Sequence, residues 1–277
     1  MMRRIILLIA TLMVVSPEVV FADPPFPTSY KPESAFISGH FKAVGRSAPN
    51  QDEYSALRAA KMSAQRELLE TIKGVRVSAE AESLKGLLTS DVIKTAVEGL
   101  LQGSTICENG EYYDESKRMG YVCIEVGRKE MLGQLYSNQT MMDKIAATVK
   151  PTRQFTPQEV KPAVENYDGL IIDLKAHNFR PALINKIFSA KNDVLYDPSK
   201  ISRQVLVENG CGDYTNSVDK AKAALEARGV SHPLIIKAIG VVSATDAKVS
   251  EDDAVKLFSA NQNAGFFSDA KVAFVLK

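Results

Sequence analysis

Tryptophan is missing from all 277 residues, and there are only three cysteines and three histidines. With no tryptophan and 7% aromatic residues, little is available to build a carbohydrate-stacking cleft. Three cysteines are far too few for a miniprotein built on disulfides, so the fold has to rest on an apolar core. A phosphate loop of the G-x-x-x-x-G-K type, an H-E-x-x-H motif and a calcium loop are also missing, as are tandem repeats and low-complexity tracts. No cofactor or metal ligand set is expected.

What is present begins with a leader-like stretch, MMRRIILLIATLMVVSPEVVFAD. Arg3 and Arg4 form a basic start, Ile5 to Val15 an apolar run, and Val20-Phe21-Ala22 a small-residue site before Asp23. This is the layout of a secretory signal peptide, with cleavage expected between Ala22 and Asp23. The apolar run falls short of the ~20 residues of a membrane-spanning helix, and Pro17 and Glu18 follow it; a retained anchor is the alternative. No cysteine lies near the cleavage site to carry a lipid, so no direct membrane anchor is expected after cleavage. The expected location is the bacterial periplasm or beyond.

Removing residues 1–22 takes two of the 34 basic residues and one of the 33 acidic ones, leaving 32 of each. A neutral balance argues against nucleic acid or an anionic membrane as the main ligand.

The remaining 255 residues suit two modest domains. DPPFPTSYKPES reads as a proline-rich tether over 23–34, and Pro151, Pro157 and Pro162 mark a linker over 138–163. The first domain, 35–137, reads as a strand through AFISGHFKAVG and then a helix in QDEYSALRAAKMSAQRELLETIKG. Tyr54, Leu57, Ala60, Ala64, Leu68 and Ile72 are the expected buried face of that helix. A strand from Val75, a helix up to Gly103, a hairpin of 104–113 with 118–126 and a short helix in RKEMLGQLY follow. The second domain, 164–277, offers a strand at Leu170 to Leu174, a turn at Asn192-Asp193 and a helix in NSVDKAKAALEARG. It continues with a buried strand in HPLIIKAIGVV, a helix capped by Ser250 and Asp253, and a closing strand in AKVAFVL. The expected class is α/β of the two-layer α+β kind: two small modules, each a mixed or antiparallel sheet packed with helices.

The pattern GHFKAVG, then ALRAAKMSAQRELLETIKGVRVSAEAES, with Ala59, Ala60, Ala64, Arg66, Leu68, Glu70, Gly74 and Val75, resembles the LPP family of small bacterial surface lipoproteins over residues 35–135. Some of those relatives are flagellar envelope components that build rings or disks, and the resemblance implies an envelope role with no catalytic residues. The anchor cysteine of lipid-bearing relatives is absent here. Residues 165–276, with YDGLIID, RPA, Tyr214, Ala221, Arg228-Gly229 and PLIIKA, resemble the module that follows it in longer envelope proteins. The usual glycine-rich turn is replaced by Ala176-His177-Asn178, of which only Asn178 readily takes a left-handed conformation.

In ICENGEYYDESKRMGYVCIEV, a turn at DESK that pairs Tyr113 with Lys117 places Cys107 opposite Cys123 and Ile106 opposite Ile124. Val122, Ile124 and Val126 then share one face, and Tyr121 and the cysteines the other. A disulfide is geometrically open to this pair; two buried thiols or a metal pair are the alternatives, and a slip of one residue removes the match. Cys211 is left over.

An enzyme acting on cell-wall material would draw on Cys211, His177 and Asp173 as nucleophile, base and orienting acid, although NGCGDY and LKAHNF match no thiol-peptidase signature. His40 and His232 lack partners at ligand spacing; Glu80, Glu82 and Glu251-Asp252-Asp253 fit a solvated strand face and a helix start. The sequence therefore reads as a non-enzymatic periplasmic assembly or scaffold protein that binds envelope proteins or itself. The alternatives are the Cys211 enzyme and a soluble carrier of a small ligand held between the modules.

Overall fold

The computed structural model describes residues 23–78, 98–148, 153–157 and 165–277. The fold is α+β, with one antiparallel sheet, one parallel sheet and one mixed sheet.

The chain opens with a short helix, α1 (Pro32–Ser38), where a tether and then a strand were expected. Pro32 sits in the first turn, where a missing N–H costs nothing, Glu33 is well placed beside the helix start, and Gly39 ends the helix in a left-handed conformation. Strand β1 (His40–Arg46) follows, then α2 (Glu53–Lys73), capped by the Asp52 carboxylate accepting from the Ser55 amide. Strands β2 (Thr105–Asp114) and β3 (Met119–Gly127) form the hairpin, and the sheet order is β1-β3-β2.

α2 lies across β1 and β3, and its buried ridge is Ala56, Ala60, Ala64, Leu68 and Ile72. Tyr54, expected on that face, is 74% exposed, and Leu57 is half-buried. Tyr54 is two residues before Ala56, about 200° round the helix, so it stands on the far side from the ridge that is buried. That ridge packs closely. A Cβ on Gly45 would lie 2.0 Å from the Ala64 nitrogen, and one on Gly120 2.6 Å from the Ala56 carbonyl carbon. Alanines on this part of the ridge, set against glycines, permit the approach.

Helices α3 (Arg128–Ser137) and α4 (Gln139–Thr148) follow the hairpin. The expected linker 138–163 thus contains a helix, and within it the Phe155 amide donates to the Val194 oxygen (2.9 Å) and the Val194 amide to the Arg153 oxygen (2.9 Å). Pro157 lies past these paired amides and interrupts neither.

The C-terminal half holds two sheets. β4 (Gly169–Asp173), β7 (Asp213–Thr215), β8 (Pro233–Lys237) and β11 (Val272–Val275) form a parallel sheet in the order β7-β11-β4-β8. β5 (Ile187–Phe188), β6 (Val194–Tyr196), β9 (Gly240–Val242) and β10 (Asp246–Lys248) form a mixed sheet, ordered β6-β5-β10-β9. The helices are α5 (Arg203–Asn209), α6 (Val218–Glu226) and α7 (Glu251–Ala264). Ser217 caps α6, and Ser250 and Asp253 make the expected capping pair at α7: the Asp253 amide donates to the Ser250 hydroxyl (3.1 Å), which donates to the Asp253 carboxylate (2.7 Å).

HPLIIKAIGVV is two strands in two sheets rather than one buried strand, and Ile235 and Ile239 are 45% and 52% exposed. β4 ends at Asp173, so the chain beyond Lys237 has no strand there to follow, and it bends into β9.

One hydrophobic core runs through both halves: Phe36, Phe41, Leu68 and Tyr136 belong to the same cluster as Leu170, Leu183, Tyr214 and Phe274. The backbone continues across it, since the amides of Leu183 and Ile184 donate to the oxygens of Arg76 (2.9 Å) and Val77 (2.8 Å). A strand was expected from Val75, but residues 75–78 form none; the rest of that stretch, Glu80 and Glu82 included, and most of the helix expected before Gly103 lie outside the described residues.

Candidate functional site

The hairpin joins Cys107 to Cys123, with Cα atoms 5.5 Å apart. Ile106 pairs with Ile124 as the sequence predicts, but Tyr113 pairs with Gly120 rather than Lys117. The discrepancy is a bulge between Ile106 and Glu111, where Asn109 takes a positive φ of 52°. The turn is consequently displaced by one residue, running through 115–118 with Arg118 at φ 49°. Asp114 closes it by accepting from the amides of Ser116 and Lys117, both at 3.0 Å, and these two residues hold its carboxyl down at about 2. Val122, Ile124 and Val126 point into the core beneath α2. The cysteines lie on the opposite face, where Cys123 pairs with Val44 across the sheet. Both are buried, so the bridge is a staple rather than an exposed redox centre.

Ala22 lies outside the described residues, and Asp23, the first described, is exposed.

Cys211, His177 and Asp173 stand at two different ends of the parallel sheet. Thr215 at the end of β7 is level with Val275, and Val275 with Asp173. Gly212, next to Cys211, lies against the Val272 oxygen, and Val272 is level with Leu170, three residues back along β4 from Asp173. The three side chains are also engaged separately. The Asp173 carboxylate accepts from the Lys175 amide (3.1 Å), and the His177 ring donates through Nε2 to the Ala238 oxygen (3.0 Å). Cys211 is 2% exposed, and burial pushes its thiol up to about 12. Its own carbonyl accepts from the Tyr196 hydroxyl (2.9 Å). The NGCGDY motif has a packing explanation: Gly212 has φ 140°, and a Cβ there would meet the Val272 oxygen at 2.5 Å. Neither Ala176 nor Asn178 takes a positive φ, so their turn needs no glycine.

His40 is exposed with its Nδ1 3.4 Å from the Ser38 oxygen, and His232 stacks on Tyr167 with centroids 5.1 Å apart. Among the described residues no group of three or more His, Cys, Asp or Glu side chains is placed to hold a metal ion. None of the helices among them is long and apolar enough to cross a membrane.

Sequence reasoning missed the polar joint between the halves. Arg128, the first residue of α3, donates to the Gly212 oxygen (3.2 Å) and to Asp213 (3.4 Å), and its guanidinium lies 5.6 Å from the Tyr214 ring centroid. Arg228 reaches the other Asp213 oxygen at 2.9 Å and the Ala270 oxygen at 2.8 Å. Two guanidiniums thus share one carboxylate, and each finds backbone acceptors as well. Beside them the Tyr136 hydroxyl donates to the Leu183 oxygen (2.7 Å), and Phe36 packs edge-on against Tyr214 (5.2 Å). The space between the modules, where a carried ligand was considered, is filled at this point by side chains. A cleft of about 330 Å3 does exist inside the first module, lined by His40, Thr105, Glu125, Glu130 and Gln134 among others. Glu125 there is already paired with Lys42 at 2.8 Å.

Residues 169–277 match the family of the second domain of Treponema pallidum Tp0624. This match covers the parallel and mixed sheets and stops short of everything before β4. No curated protein matches the chain.

Proposed function

We propose that this is a non-enzymatic assembly or scaffold protein of the bacterial cell envelope, exported to the periplasm or beyond, which works by binding other envelope proteins or copies of itself. The observation that carries this reading is where the apolar side chains left out of the core are found. Tyr54 and Met62, 74% and 54% exposed, stand on α2, and Ile235 stands on β8. These are regular elements with rigid backing, which present contacts at low ordering cost. The groups an enzyme would have to free are instead engaged in the fold: Cys211 is sealed and His177 is tied to the Ala238 carbonyl. The flagellar setting rests on the resemblance over residues 35–135 and is part of this proposal.

The test is crosslinking in cells together with substitution of Cys211 and His177. A homo-oligomer or a defined envelope partner should be trapped, and Cys211→Ala and His177→Ala should leave the phenotype of the intact protein unchanged. Loss of function in either variant, with folding and contacts intact, would transfer the assignment to the enzyme built on Cys211, His177 and Asp173. Export is checked by intact mass: the periplasmic chain should begin at Asp23.

A further inference from the structure

We propose that the outward ridge of α2 docks a second copy of the chain by that copy's β2 edge, head to tail; the inference rests on the scaffold reading and names its partner. α2 buries one ridge at four-residue spacing, so the ridge directly opposite is Tyr54, Arg58, Met62 and Arg66, with Lys61 beside it. All five are exposed. No acidic residue occurs between Tyr54 and Arg66, and none of the three cations forms an ion pair among the described residues. The close packing on Gly45 and Gly120 fixes the ridge from behind.

The complementary surface is in the same module. Among the described residues β2 is an outer strand, in the order β1-β3-β2. Along it and into its turn stand Glu108, Glu111 and Glu115, all exposed and without an ion pair among the described residues. The nearby Lys117 is held by Asp114 at 3.0 Å. Ile106 on the same strand is 38% exposed and offers an apolar counterpart to Tyr54 and Met62. The dimensions agree: eight helical residues separate Arg58 from Arg66, about 12 Å. The extended run from Glu111 to Asp114 spans about 10 Å, and Glu115 opens the turn beyond it.

Pairing β2 with β2 would set glutamates against glutamates, and the bulge further blunts that edge, so a symmetric contact is disfavoured. A ridge that meets a different patch makes a heterologous contact, which repeats into a ring or an open fibre. An anionic membrane suits the ridge less well. Interfacial helices bury a broad apolar face in lipid, whereas the apolar face of α2 is turned into the core.

Sedimentation velocity on the mature chain, over a concentration series at low and high salt, tests this. The wild type should self-associate, and salt should weaken the association. Arg58→Glu with Arg66→Glu, or Glu111→Lys with Glu115→Lys, should each weaken it by roughly tenfold per reversed site. All four substitutions together should restore it, because the charges again match. These positions are exposed, and circular dichroism verifies folding; Arg58→Ala with Arg66→Ala serves if a reversal fails to fold. A wild type that stays monomeric overturns the proposal, as does association indifferent to the reversals or not restored by their combination. If the chain is monomeric but crosslinks to another protein in cells, the scaffold reading survives and this inference fails. Ridge-dependent binding of a monomer to phosphatidylglycerol vesicles would overturn it in favour of the membrane.

Discussion

The antiparallel sheet of the first half and the parallel sheet of the second reach stability by different routes. In the first, α2 covers one face at close range, and on the opposite face Cys123 is bridged to Cys107 and Lys42 is paired with Glu125. In the second, both faces are packed: Leu170, Ile172 and Phe274 look into the main core, and Ile171, Ala273 and Val275 meet Ala221 and Leu225 of α6. A sheet buried on both sides reads as a continuous apolar run, as GLIID and VAFV do. A sheet covered on one face by a single close helix depends on the fit of that helix and gains from a covalent tie on its other face. The comparison teaches that the first half is sensitive to small volumes and the second to unpaired polar groups.

The sharpest break should come from Gly45→Ala. The new methyl meets backbone nitrogen and oxygen of α2 at 2.0 and 2.1 Å, and neither belongs to a flexible side chain. A destabilisation of about 4 kcal/mol or more is expected, seen in urea unfolding. Gly229→Ala, where a Cβ meets nothing within 4 Å, should cost only about 1 kcal/mol for its positive φ. Equal costs at the two glycines would remove the contrast between tight and open packing.

Asp213→Ala should follow, at roughly 3 to 4 kcal/mol, because it strands Arg128 and Arg228 at the joint. Replacing Arg128 as well should recover part of the loss, a coupling that a double-mutant cycle measures. Removing the disulfide with Cys107→Ala and Cys123→Ala should cost about 3 kcal/mol on the chain-entropy model. The loss should be read in the first half, as faster hydrogen exchange in β2 and β3, with the parallel sheet little changed.

The smallest effect concerns alkaline pH. The Cys211 thiol is raised from its ordinary 9.0 to about 12 by burial, and burial also raises Tyr136, Tyr196 and Tyr214. A raised thiol contributes nothing lost below pH 9. Above it the unfolded chain ionises first, so stability falls by about 1.4 kcal/mol per pH unit until the folded thiol ionises near 12. Cys211→Ala should flatten the thiol's share of this slope between pH 9 and 10.5. In the same range Cys211 should resist thiol reagents until the protein is denatured, and then be the one cysteine labelled.

Much of this contrast was legible in the sequence. The period of α2, the apolar run of β4, the cap of α7 and the Ile106–Ile124 register all follow from local pattern. Tyr54 was misplaced because the three-residue steps from Ala60 back to Leu57 and Tyr54 drift round the helix, away from the four-residue ridge that α2 buries. The hairpin turn was displaced because a bulge adds residues to one strand without changing the alternation around it. β10 and α5 were missed since three and seven residues carry too little pattern. Arg128, Asp213 and Arg228 were invisible as a set because they lie on three separate elements and meet only in the folded chain.

The aromatic contact at the joint bears on how such proteins can be assembled from parts. Tyr214 is covered on one side by Phe36 and Arg128, and Leu183 receives its hydrogen bond from Tyr136; all three partners come from outside the 169–277 stretch that matches another protein's domain. The C-terminal module therefore behaves like a jar that needs a stopper. Transplanted alone, it would expose Tyr214 and leave the Leu183 carbonyl to water. Its mouth is closed in this chain by Phe36, Arg128 and Tyr136, so the half that precedes it also serves as its lid.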